Sequence, residues 1–273
     1  MRERSLLGDV SPILIATFFL LLPVVLVLIF ANKVRATGEG RMSRDDTYTK
    51  AIIAAMRPDA SQVSHSLLSV DLNQPLTVVA WMRQKQIPDY KSGLTPKGTW
   101  VTVVPKLKSF CQDYVKSNGA DLQKLTSRLE QRLGLPPNAG YDTFVELKLE
   151  PKELGEVSRF FRPCGDPSPI TNSCDIAIPP EPDQVRNSLD TPDKAFKDFW
   201  YLSKYYWSFA SPKKDRWSVQ YPWSGLGYTF DWAPAPNGGD DFVRWGESEF
   251  VVAPKTAVQF VSATGTADYC APQ

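Results

Sequence analysis

Between Pro12 and Ala31 the chain reads PILIATFFLLLPVVLVLIFA, twenty residues without a charge. As a helix rising about 1.5 Å per residue, this run reaches roughly 30 Å, the hydrocarbon thickness of a bilayer. It has no polar face of the kind a helix lying on a soluble core presents to water. A cleaved signal peptide would need a core of about 7–15 apolar residues and a small-residue cleavage site. Val34-Arg35-Ala36 offers such a site, but the core is too long and Lys33 and Arg35 interrupt the approach. The expectation is an uncleaved anchor in contact with the lipid bilayer through 12–31, with Pro23 tolerated by local readjustment. A short tail (1–11) precedes it and a polar linker (32–44) follows.

The side of the membrane taken by the rest of the chain is contested by two signals. Lys33, Arg35, Arg41 and Arg44 after the span outnumber Arg2 and Arg4 before it, which by the positive-inside rule favours a cytoplasmic C-terminal part. The cysteines argue the other way. All four follow the anchor, Cys270 lies near a chain end that frays unless tied down, and Cys164 and Cys174 bracket the loop-like GDPSPITNS. An even count so placed suggests two disulfides and an extracytoplasmic, periplasmic-type compartment. Cys164 with Cys174 and Cys111 with Cys270 is the pairing the spacing favours, although four cysteines allow about three connectivities.

The formal net charge of +1 is made of interspersed acids and bases, with no basic stripe for nucleic acid. Secondary-structure signals are clearer. Tyr48, Ile52 and Met56 recur at helical spacing over Asp45–Met56, which Pro58 ends. Leu76–Met82 and Thr99–Val104 are β-branched and aromatic, hence strands. Leu107, Phe110, Cys111, Tyr114 and Val115 mark one helix, and Leu122, Leu125, Leu129 and Leu133 mark a second, capped by Asp121 and ended by Gly134. Thr143–Leu149 alternates as a half-buried strand. Strands are expected again at Tyr228–Trp232, Phe242–Trp245, Glu249–Val252, Thr256–Ala263 and Thr266–Cys270. The fold class is α+β, with antiparallel strands and helices packed on one face. The domain expectation is an α+β lobe over 45–161, a proline-rich seam bracketed by cysteines over 162–190, and an aromatic-rich helix plus β lobe over 191–273.

Chemistry is sparse. With His65 as the single histidine there is no zinc set, no HExxH and no CxxC pair. Gly225-Leu226-Gly227 precedes a strand, the wrong context for phosphate, and reads as a turn. Asn237–Asp241 lacks the spacing of a calcium loop. No catalytic, cofactor-binding or metal-ligating residue is assigned, and a non-enzymatic role is expected. Two surfaces remain. The aromatic surplus supplies interaction candidates for a membrane or periplasmic protein partner: Trp200, Tyr201, Tyr205, Trp207, Trp223, Trp232 and Trp245. The alternative is a glycan site in which Asp231, Glu247 and Glu249 stand among tryptophans, with Glu247 and Glu249 alternating on one strand and facing the same way.

Overall fold

The computed structural model describes residues 47–55, 59–156, 158–164, 168–175, 221–236 and 241–272. The anchor 12–31, the linker and the aromatic run containing Trp200, Tyr201, Tyr205 and Trp207 lie outside the described residues. Among the described residues no helix is long and apolar enough to cross a membrane.

The fold is α+β and its strand pairs are antiparallel. The strands are β1 (Leu76–Met82), β2 (Thr99–Val103), β3 (Thr143–Leu149), β4 (Phe160–Phe161), β5 (Tyr228–Pro234), β6 (Phe242–Ser248), β7 (Phe250–Val252) and β8 (Gln259–Gly265). Six form one sheet in the order β4-β7-β2-β1-β3-β8, while β5 and β6 form a separate hairpin. The two stretches expected as separate lobes therefore share a sheet, because β7 pairs with β2 and β8 with β3 across the seam. Residues from Thr47 onward form a single unit.

The helical segments are α1 (47–55), α2 (Ile87–Tyr90), α3 (Lys106–Asn118), α4 (Leu122–Arg132), α5 (Pro151–Leu154) and α6 (Thr266–Tyr269). Both faces of the sheet are covered, which explains why β1 is an almost continuous apolar run. On one face Val78, Ala80, Val101, Leu147 and Phe250 pack with Tyr90 of α2 and Leu154 of α5. On the other, Val79, Trp81 and Phe144 meet Leu107 and Cys111 of α3 and Leu125 and Leu129 of α4. The leucine stripe of α4 is thus core at Leu125 and Leu129, whereas Leu122 is half exposed.

Two disulfides cross-link this frame. Cys111–Cys270 ties the middle of α3 to the C-terminus, with Cα atoms 5.1 Å apart. Cys164–Cys174 closes a ten-residue separation beside β4, with Cα atoms 6.0 Å apart. Beside the second bridge the fully buried Arg162 donates to the carbonyls of Leu68, Thr171 and Gly227 and lies 4.5 Å over the Phe250 ring. A Cβ at Gly227 would come within 2.7 Å of both Arg162 and the Cys174 sulfur, and its φ is +73°, so glycine is required at this turn.

The strand expected at Thr266–Cys270 is instead the helical turn α6. Thr266 sets it: its N–H and Oγ1 both bond the Asp142 carbonyl, and its Oγ1 accepts from the Trp81 indole at 2.9 Å. The chain turns there and delivers Cys270 to Cys111.

Candidate functional site

Helix α4 organises the region where the sequence placed its acids. It begins with Asp121, whose carboxylate accepts from the N–H groups of Gln123 and Lys124. It ends in a Schellman turn, in which Leu135 N–H bonds Glu130 O and Gly134 N–H bonds Gln131 O, with Gly134 at φ +65°. The hairpin β5–β6 docks on this end. Thr229 Oγ1 donates to Arg132 O at 2.8 Å, and the Trp232 indole donates to Leu135 O at 2.9 Å. The carbonyls a helix leaves unsatisfied at its C-terminus are thereby partly capped by the hairpin.

Charges complete the docking. Arg128 grips Asp231 with both terminal nitrogens, at 3.0 and 2.7 Å, and Arg132 Nε donates to Glu247 at 2.8 Å. Arg132 also lies 3.6 Å from Asp231 and donates to the Trp245 carbonyl. Both guanidinium groups stand over the Phe110 ring of α3, at 4.9 and 4.7 Å. Asp231 is fully buried and Glu247 nearly so.

Glu249 stands apart. Strand β6 ends at Ser248 and β7 starts at Phe250, so the chain changes sheets at Glu249. This corrects the reading of Glu247 and Glu249 as neighbours on one strand. A change of sheet moves the two side chains to different partners, and Glu249 accepts from the Trp223 indole at 3.1 Å. The three acids are not gathered into one site. Asp241 is exposed and pairs with Arg244 at the hairpin end, where the bonds from Phe242 N–H and Arg244 hold its carboxyl below the usual range. His65 is exposed before β1. Among the described residues no group of three or more His, Cys, Asp or Glu side chains is placed to hold a metal ion.

The tryptophans also separate. Trp232 is interior, edge-on to Tyr48 of α1 at 5.4 Å. Trp245 is 48% exposed, with its indole donating to Gln62 O. Trp223 is buried against Trp100, edge to face at 6.1 Å.

Trp223 and Glu249 belong to a cavity of about 490 Å³ that sequence reading missed. Its floor is the helix-side face of β1 and β2. Thr102 lies opposite Val79 there, with Trp81 and Trp100 two residues along their strands on the same face. Its other walls come from Tyr141, from Leu133–Leu135 after α4, and from the Tyr221–Trp223 stretch leading into the hairpin. Burial first, and then the neighbouring Tyr141 hydroxyl, pushes Tyr221 up to about 12. Thr102 is 5% exposed, and its Oγ1 has no hydrogen-bond partner among the described residues. Of the residues singled out in sequence, Trp223 and Glu249 line it, whereas Trp81, Trp100, Thr102, Tyr141 and Tyr221 were not singled out.

No protein-family model, curated protein or solved structure matches this chain.

Proposed function

We propose that the protein is a single-pass, membrane-anchored accessory or scaffold component whose extracytoplasmic domain docks on another membrane or periplasmic protein. The observation that carries this reading is the fate of the acids. Asp231 and Glu247, two of the three carboxylates singled out in sequence, are buried and engaged by Arg128 and Arg132. They fasten a hairpin to a helix, which is a structural use of charge. The two disulfides fit an oxidising compartment, and the uncharged span 12–31 fits a tether. Trp245, exposed with its indole fixed on the Gln62 carbonyl, is the described aromatic best suited to anchor an interface.

Two measurements test the reading. A membrane-impermeant maleimide applied to intact spheroplasts should label the cysteines only after reduction. Labelling that requires permeabilisation but no reductant would move the domain to the cytoplasm and remove the proposal. A photo-crosslinking residue in place of Trp245, introduced in cells, should give one discrete adduct that a crosslinker at exposed Lys116 does not. Identical patterns at the two positions would reject docking through this face.

A further inference from the structure

We infer that the cavity between the sheet and the Tyr221–Trp223 wall is a binding site for a small neutral saccharide. This goes beyond protein docking and does not depend on it. Of the glycan site expected from sequence it keeps Trp223 and Glu249, while Asp231, Glu247, Trp232 and Trp245 take no part.

The volume of about 490 Å³ lies in the range of small-molecule sites. Two observations narrow the chemistry. First, aromatic rings converge on the space: Trp81 and Trp100 from the sheet, Trp223 edge-on against Trp100, and Tyr141 and Tyr221 at one side. Such rings offer flat apolar platforms with polar edges. Second, the Thr102 hydroxyl is buried in the floor without a partner among the described residues, a condition that costs free energy until something hydrogen-bonds to it.

The occupant must therefore present an apolar face to rings and a hydrogen-bonding edge to a hydroxyl. A pyranose does both, with its C–H face against a tryptophan and its hydroxyls at the rim. A purely aliphatic ligand would leave Thr102 unsatisfied. The carboxylate of Glu249, held by the Trp223 indole, accepts from hydroxyls and disfavours an anionic sugar. Among the described lining residues the cation is Lys97, which is exposed at the rim.

The test uses the full chain in micelles of a polyoxyethylene detergent, whose head group carries no sugar. Cellobiose, chitobiose and maltose are titrated against tryptophan fluorescence and ligand-observed saturation-transfer NMR, with choline and an anilinonaphthalene dye as cationic and apolar controls. At least one disaccharide should saturate. Thr102→Val, which keeps the side-chain shape, should weaken that binding about tenfold, while Thr102→Ser keeps it. Without ligand, Thr102→Val should melt no lower than the parent, because it removes a buried unpaired hydroxyl. Glu249→Gln should weaken binding with Thr102 intact. Saturation by choline or the dye alone, no saturation by any disaccharide, or unchanged disaccharide affinity in Thr102→Val would each overturn the inference.

Discussion

Replacing Asp231 by alanine removes the centre of the clasp between α4 and the hairpin. The change deletes two hydrogen bonds to Arg128, the 3.6 Å contact with Arg132 and the acceptor for Ala233 N–H. Breaking a buried pair by removing one partner costs about 3–5 kcal/mol, because the remaining charge stays in a poorly solvated place. The Arg128 and Arg132 side chains keep 17% and 21% of their exposure, Arg132 keeps Glu247, and both keep the Phe110 ring. The cost therefore belongs at the low end, about 3 kcal/mol, or roughly 6–12 °C in Tm for a unit running from Thr47 to Gln273. Urea unfolding of the full chain, followed by tryptophan fluorescence without reductant, measures it. A fall in the midpoint at unchanged slope is expected. The double variant Arg128→Met, Asp231→Leu should recover most of the loss, since a well-packed apolar pair can replace a buried ion pair. A loss below about 1 kcal/mol for Asp231→Ala, a value typical of an exposed pair, would refute the assignment of the clasp as buried and structural.

The other perturbations separate in size and in pH. Replacing Cys111 and Cys270 by serine should cost more than replacing Cys164 and Cys174, about 5 against about 3 kcal/mol in the chain-entropy model, because the separations are 159 and 10 residues. Equal midpoints in urea would contradict that ordering. A Cβ at Gly246 would collide with Thr229 and with the Arg132 carbonyl, so Gly246→Ala should destabilise by about 3 kcal/mol or undock the hairpin, read as exposure of Trp232 to quencher. Burial pushes Tyr228 up to about 12, so its contribution is fully present below the unfolded value of 10 and is lost as pH rises from there through about 12. Alkaline titration at 295 nm should show a delayed phase, shared with Tyr221 and other buried tyrosines, whose amplitude Tyr228→Phe lowers by one tyrosine. The lowered carboxyl of Asp241 has the opposite sign. Its contribution is present above 3.8 and disappears as pH falls through the lower folded value, so Asp241→Asn should matter at pH 7 and progressively less as pH falls below 3.8.

What the sequence made legible was local. Strands β1 and β3 carry their bounds in runs of β-branched and aromatic residues, and α4 is bracketed by Asp121 and Gly134. The cysteine pairing followed from spacing once a frayed terminus and a bracketed loop were recognised. The acids were misjudged as one group because their partners are distant: Arg128 and Asp231 are 103 residues apart, and nothing near Asp231 announces the helix that claims it. Arg128 and Arg132, spaced i and i+4 beside the leucines of α4, were the available hint that this helix carries a charged stripe as well as an apolar one. The cavity was hidden for a similar reason. It is assembled from β1, β2, the end of α4 and residues 221–223, and each contributes side chains that in isolation read as ordinary core. The turn α6 was misread because the two partners that bond Thr266 together, Asp142 and Trp81, are distant in sequence.

The strand order carries a consequence for biogenesis. The centre of the sheet, β2-β1-β3, is complete once residue 149 has been made, but its neighbours on either side, β7 and β8, start a hundred residues or more later, at Phe250 and Gln259. Pairing across such separations is slow, because loop closure precedes any contact that compensates for it. A ribosome-bound chain would hold the inner strands with both flanks unpaired, a state prone to pairing with other chains. The covalent bond from Cys111 to Cys270 forms between the middle of the chain and its end, so its appearance in a pulse-chase experiment would time the moment at which the sheet is flanked on both sides.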